Sequence, residues 1–122
     1  MSILICDDNE DLREILSVIL KDKYHVITAK NGLEGISKFM QHRPKVVLMD
    51  LKMPGMSGIE ATKKITEIEP DTCVIGFTAY AATKAQEFLN AGVKAIIEKP
   101  IKMSKLIEQI NLICQMQNMN NH

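Results

Sequence analysis

Two hydrophobic patterns alternate along the chain. Short, mainly apolar runs occur at "ILIC" (3–6), "HVITA" (25–29), "VVLM" (46–49), "CVIGFT" (73–78) and "AIIE" (95–98). Runs of this length, closed by polar residues and turn formers, predict strands buried on both faces. Between them the period becomes helical. Leu12, Ile15, Leu16, Ile19 and Leu20 fall at i, i+3, i+4, i+7 and i+8 and share one helix face. Asp8 or Asn9 is placed to cap this helix, and Glu10, Asp11 and Glu14 suit its positive end. "NGLEGISKFMQH" predicts a second helix with Leu33, Ile36 and Met40 inward, halted before Pro44. Ser57 and Gly58 open a third, carrying Ile59, Ile65 and Ile68 and stopped at Pro70. "ATKAQEFLNAG" predicts a fourth, ended by Gly92 as a C-terminal cap. Met103, Leu106, Ile107, Ile110, Ile113 and Cys114 form the stripe of a fifth. The tail "QMQNMNNH" has no pattern and is expected to fray.

The order is therefore strand–helix five times, with no sequence repeat and no linker. Apolar strands alternating with amphipathic helices imply an α/β fold: a parallel, doubly wound sheet covered on both faces. Ligands of such sheets bind beyond the carboxyl ends of the strands, where strand order reverses.

Composition narrows the possibilities. A chain of 122 residues fits one domain with one core. Formal net charge is zero, Arg13 and Arg43 are the only arginines, and the lysines are scattered. No basic field is available for a nucleic-acid backbone, so no direct nucleic-acid partner is expected. No run approaches a membrane span and no charged-then-apolar segment opens the sequence, so a cytoplasmic location is expected. Cys6, Cys73 and Cys114 lack C-x-x-C spacing and read as small buried hydrophobes of a reducing compartment. The methionines read as core filler and tail, and His25, His42 and His122 show no ligand spacing.

The residues just past the strands carry the chemistry. The first strand is followed by Asp7 and Asp8, the third by Asp50, the fourth ends at Thr78 with Ala79 beyond it, and the fifth leads to Lys99. All fall at the same end of one sheet. If the first and third strands are neighbours, three carboxylates converge, and their repulsion calls for a cation. All-oxygen ligands with open positions suit Mg²⁺. A hydroxyl and an ammonium at the same rim are what a transferred phosphoryl group requires. One carboxylate can then act as nucleophile and become an acyl phosphate. Asp50 suits that role because it stands alone on the central strand, whereas Asp7 and Asp8 form a pair suited to metal. The carbonyl of Lys52, in the turn after Asp50, is a further candidate ligand. Each residue alone has a plainer reading: an N-cap for the acidic pair, a turn aspartate for Asp50, a strand end for Thr78, a surface lysine for Lys99. Their coincidence at four strand ends argues against four separate accidents.

These motifs, "ILICDDNEDLR", "VVLMDLKMPGMSGIE", "VIGFTAY" and "EKPI", resemble in order and spacing the receiver domain of two-component response regulators. The resemblance covers about residues 2–115, with the "DLKMPGM" and "TAY" segments most similar to the single-domain sporulation-phosphorelay and chemotaxis type. It implies a flavodoxin-like (βα)5 sandwich with strand order 2-1-3-4-5, a receiver domain over 1–116 and a short disordered tail over 117–122. It further implies that Asp50 is the phosphoacceptor and that Asp8, Asp50 and the Lys52 carbonyl bind Mg²⁺ directly, with Asp7 acting through water. Thr78 becomes the switch hydroxyl beside the Ala79 amide, and Lys99 the phosphoryl-binding lysine, followed by a cis bond to Pro100. Lys52 and Tyr80 match positions that lengthen acyl-phosphate lifetime in the sporulation subgroup. The implied partner is a histidine kinase or a histidine phosphotransfer protein, and the implied state a monomer or weak dimer. Such a protein catalyses its own phosphorylation but is primarily a switch. Two positions depart from the pattern: Ile96 replaces the usual aromatic three residues before the lysine, and Ile101 replaces a common Phe. Alternative readings are a receiver excised from a larger regulator, a non-switching docking scaffold, and an aspartate-nucleophile phosphatase. The phosphatase lacks its D-x-D pair, since Lys52 holds the third place. An FMN module is disfavoured because "CDDNED" would repel a phosphate.

Overall fold

The structure is a computed structural model that describes residues 1–120. Its elements alternate as β1 (Ser2–Cys6), α1 (Glu10–Leu20), β2 (His25–Ala29), α2 (Gly32–His42), β3 (Val46–Met49), α3 (Gly58–Ile68), β4 (Cys73–Thr78), α4 (Ala81–Ala91), β5 (Ala95–Glu98) and α5 (Met103–Asn120). The five strands are all parallel in the order β2-β1-β3-β4-β5. This is the expected doubly wound sandwich. Strand order reverses between β1 and β3, the position at which such sheets bind their ligands.

Period-2 alternation along each strand feeds two cores. Leu4, Cys6, Val47, Met49 and Val74 face α2, α3 and α4, against Phe39, Ala61, Ile65 and Phe88. Ile3, Ile5, Val46, Leu48, Ile75 and Phe77 face α1 and α5, against Leu16, Leu20, Leu106 and Ile110. Gly76 lies within β4 under the Phe88 ring, and a Cβ there would lie 2.9 Å from that ring. Among the described residues no helix is long and apolar enough to cross a membrane.

Three helices differ from their expected faces or lengths. In α2, Leu33 and Met40 point to solvent, while Gly32, Gly35 and Phe39 are buried and Ile36 packs on the core. Gly35 brings the helix backbone close to the sheet, where a Cβ would meet the Cys6 Sγ at 2.8 Å, and Gly32 abuts Met56 in the turn before α3, where a Cβ would lie 2.8 Å from the Met56 carbonyl oxygen. Apolar periodicity counts large side chains and so misplaces a face built from glycine. In α1, Leu16 and Leu20 are buried, but Ile15 and Ile19 are 48% and 40% exposed, so the buried stripe is narrower than the apolar one. α5 continues to Asn120, so residues 117–120 of the expected tail are helical. Gln and Met are good helix formers, and extending an existing helix requires no new nucleus. Residues 121 and 122, the rest of that tail, lie outside the described residues.

Between β3 and α3 the chain turns back tightly under the third strand. Ser57 caps α3 by accepting from the Glu60 amide at 3.2 Å, and the Gly58 amide donates to the Leu51 carbonyl at 2.7 Å. A Cβ on Gly58 would lie 1.9 Å from the Asp50 carbonyl oxygen, so only glycine allows this approach. Gly58→Ala is expected to cost about 2 kcal/mol, because backbone and not a flexible side chain must move. Gly55, at φ +76 with nothing near its Cβ position, should lose only about 1 kcal/mol on substitution by Ala. Urea denaturation of the two variants checks the order.

Candidate functional site

Regular pairing continues one residue past the ends of β1 and β3, and this brings the acidic residues together. The Asp7 amide donates to the Ala29 carbonyl at 3.1 Å and the Asp50 amide to the Cys6 carbonyl at 2.9 Å. Asp7 and Asp50 are buried, at 3% and 8% exposure, whereas Asp8 faces solvent. One ligand oxygen from each of Asp7, Asp8 and Asp50 lies within 4.8 Å of the others. Sequence left the cap of α1 open between Asp8 and Asn9. Asn9 takes it, accepting from the Leu12 amide at 3.1 Å, and Asp8 is left for the cluster. Asp7 in turn accepts from the Asn9 amide at 2.9 Å, which holds its carboxylate in place.

Lys99 is the counter-charge. Its Nζ lies 2.8 Å from Asp7 Oδ2 and 3.7 Å from Asp50 Oδ2. The ammonium also sits 5.0 Å from the centre of the buried Phe77 ring, a cation–π contact. The Lys99 amide donates to the Thr78 carbonyl at 2.9 Å, continuing the β4–β5 ladder, and the Lys99–Pro100 bond is cis. Three carboxylates and one ammonium leave two formal negative charges, which matches a divalent cation. The donor set, all oxygen and partly open to solvent, fits Mg²⁺.

Asp50 shows the electrostatic strain most clearly. Its carboxyl is pushed up to about 6, first by burial and then by Asp7, with Asp8 adding to the rise. Lys99 and the Leu51 amide, which donates to Asp50 Oδ1 at 2.9 Å, pull the other way without cancelling it.

Above the carboxylates lies a pocket of about 500 Å³, lined by Asp8, Asp50, Lys52, Met53, Pro54, Ala79, Tyr80 and Lys99. Lys52 stands over the Tyr80 ring at 5.3 Å and the two form one wall. Thr78 does not open onto this pocket. It is fully buried, and its hydroxyl accepts from the Tyr80 amide at 3.0 Å. Ile96 is half-buried against the α2–α4 core.

One residue escaped the sequence reading. Arg13 donates from Nη1 to the Asp7 carbonyl at 2.6 Å and so pins the backbone between the paired aspartates. The available signal was a lone arginine one turn past the Asn9 cap, in a helix that otherwise opens with acids.

A doubly wound parallel sheet with an acidic pocket at its reversal point and a lysine just past the edge strand β5 that reaches into it defines a class of phosphate-handling α/β proteins. Residues 3–111 match the family described as response regulator receiver domain, and the chain belongs to that family. It is 36% identical over 114 residues to chemotaxis protein CheY of Thermotoga maritima, covering 91% of this chain and 95% of the relative. It is 34% identical over 113 residues to the polar-differentiation response regulator DivK of Brucella anthropi, covering 89% and 92%. Among solved structures, a CheY-like receiver domain protein of Methanospirillum hungatei superposes with a TM-score of 0.90 at 32% identity, over 98% of this chain and 97% of the other.

The Asp50 shift sets a stability window. Its folded value, about 6, lies above its ordinary value of 3.8, so the folded protein holds a proton that the unfolded chain releases. The stabilisation is complete below pH of about 4 and is lost as pH rises through about 6. In chelator-treated buffer the wild type should lose about 1–2 kcal/mol across this window, the shift being discounted for partial solvent access. Asp50→Asn should remove the loss, and saturating Mg²⁺ should shrink it. Denaturant midpoints at a series of pH values test this; parallel profiles for the two proteins would contradict it.

Proposed function

We propose that this receiver takes a phosphoryl group from a partner's phosphohistidine, carried by a histidine kinase or a histidine phosphotransfer protein, onto Asp50. The observation that carries this reading is the opening of the Asp50 carboxylate onto a pocket shared with Asp8, Lys52, Ala79 and Lys99. A carboxylate oxygen of Asp50 attacks phosphorus, the P–N bond breaks, and its electron pair leaves with the partner's imidazole. Oδ1 is held by the Leu51 amide, which leaves Oδ2 as the oxygen beside the Lys99 ammonium. Asp8, Asp50 and the Lys52 carbonyl would hold Mg²⁺ directly, and Asp7 through water. Bound there, Mg²⁺ would supply positive charge to the transferring phosphoryl oxygens and offset the carboxylates that repel them.

The remaining residues bind and read the product. Lys99 donates to one phosphoryl oxygen and relaxes its contact with Asp50. The Thr78 hydroxyl and the Ala79 amide donate to others. For Thr78 this requires leaving its present place under the Tyr80 amide. The contact exists only in the phosphorylated state, so it biases the loop at the start of α4 toward a second conformation that partners distinguish. Ile96 has no aromatic ring to swing, so the Thr78–Tyr80 loop is the readout. Lys52 and Tyr80, stacked at the pocket mouth, shield the acyl carbon from water and lengthen its lifetime. We assign the protein to the cytoplasm by its likeness to single-domain response regulators, and to a monomer or weak dimer because α4 and α5 carry no arginine for a salt-bridged interface.

Acetyl phosphate with Mg²⁺ should produce one phosphoryl adduct, labile to hydroxylamine and absent from Asp50→Asn. Lys99→Ala should slow its formation about 10²-fold. A folded, Mg²⁺-binding protein that gains no adduct, from acetyl phosphate or from a phosphorylated partner, would overturn the reading. Lys52→Asn should shorten the adduct lifetime; equal lifetimes would remove the shielding role.

A further inference from the structure

The end of the sheet remote from Asp50 contains a second cavity, of about 820 Å³. Two of the three cysteines line it, on separate elements. Cys73 is the first residue of β4 and is buried; Cys114 faces it from α5 and is half-buried. Cys114 packs against the buried cluster that contains Cys73, and each thiol shifts the other's titration. The Tyr24 hydroxyl lies 3.9 Å from Cys114 Sγ and 3.2 Å from Asn111 Oδ1, and Lys23 Nζ donates to that same Asn111 oxygen at 2.9 Å. Cys114 is therefore surrounded by a thiol, a hydroxyl and a nearby ammonium, all of which favour sulfur in its charged form. The neighbouring Cys73 thiol is the largest influence holding the Cys114 thiol below its usual range, against the opposing effect of burial, while Cys114 and burial together drive Cys73 upward. Cys6 provides the contrast. It is fully enclosed beneath α2, lines neither cavity, and burial pushes its thiol up to about 12.

We infer that Cys73 and Cys114 form a dithiol that hydroperoxides convert to an intramolecular disulfide, with Cys114 as the attacking thiol and Cys73 as the resolving one. The Cys114 thiolate attacks the terminal peroxide oxygen, the O–O bond breaks, and the alkoxide or hydroxide leaves and takes up a proton. Cys114 is now a sulfenic acid, oxidised by two electrons, and the peroxide is reduced by two. The Cys73 sulfur then attacks the Cys114 sulfur, the S–O bond breaks, and the leaving hydroxide takes the Cys73 proton to give water. The sum is two thiols and one hydroperoxide giving one disulfide, one alcohol (or water) and one further water. The cavity admits the oxidant to Cys114 while Cys73 waits behind it. The product ties α5 to the first residue of β4, at the opposite end of the sheet from the acidic pocket.

The test treats the full chain with a small excess of hydrogen peroxide and maps non-reduced peptides by mass. The expected product is a monomer lighter by two hydrogens, with Cys73 joined to Cys114, Cys6 still free, and full reversal by dithiothreitol. Before oxidation, iodoacetamide should label Cys114 at least about tenfold faster than Cys6 or Cys73. In Cys73→Ala the reaction should stop at a sulfenic acid on Cys114 that dimedone traps, and in Cys114→Ser Cys73 should stay reduced. Linkage to Cys6, disulfides only between molecules, or both thiols surviving the peroxide would overturn the inference. The wild-type peptide map decides it even where a variant fails to fold.

Discussion

The mutual repulsion of Asp7, Asp8 and Asp50 governs the rest of this molecule. Unit charges within 4.8 Å repel by about 3–4 kcal/mol per pair at an effective dielectric of about 20. Two of the three are buried, where water screens least. A fold with no use for this arrangement would lose stability by keeping it. Here the backbone enforces it: the Asp7 and Asp50 amides are tied into the sheet beyond β1 and β3, Asn9 holds the Asp7 carboxylate, and Arg13 holds the Asp7 carbonyl. The Gly58 amide, donating to the Leu51 carbonyl at 2.7 Å, ties down the chain just past Asp50. Lys99 offsets one charge, and Asp50 shifts its protonation toward the neutral form. The residual two negative charges equal in magnitude the charge of a divalent cation, and the cluster's oxygens could hold one.

The same arrangement links binding to switching. Lys99 follows β5 directly and Thr78 ends β4, so an anion placed on Asp50 would lie near the ends of two further strands. The Thr78 hydroxyl is engaged by the Tyr80 amide in the unphosphorylated chain. In the proposed function, a phosphoryl contact at Thr78 would compete with that bond, which makes the α4 entry loop the element such a contact would move. On that reading phosphorylation would be a local electrostatic event read out by a neighbouring turn.

Much of this was legible in the sequence, and the exceptions have physical reasons. Apolar runs marked the strands because a sheet covered on both faces needs both side-chain rows apolar. Ser57, Gly92 and Pro70 marked helix ends because caps and breakers act locally. The orientation of α2 was hidden because its contact face is made by Gly32 and Gly35, which contribute closeness and not hydrophobicity. Ile15 and Ile19 extend the apolar stripe of α1 beyond what the sheet covers, and periodicity does not tell a covered from an uncovered flank. The length of α5 was underestimated because propensity alone, without an apolar stripe, carries its last turns. Among the site residues, strand-end position exposed Asp7, Asp8, Asp50 and Lys99. Arg13 was missed because its role is a side chain reaching back to a backbone carbonyl, which its lone basic charge among acids marks only indirectly.

Membership of the receiver family and the charge arrangement thus support each other: the fold supplies the reversal point, and the carboxylates supply a reason for a metal and a phosphoryl group to meet there. The most direct test is calorimetric titration of Mg²⁺ into the wild type, Asp8→Asn and a surface control such as Asp22→Asn at pH 7. The account predicts one saturable site in the wild type and the control, weakened at least about tenfold in Asp8→Asn, with proton release where Asp50 is partly protonated. Equal affinity in all three proteins, or no saturable binding to the folded wild type, would contradict it.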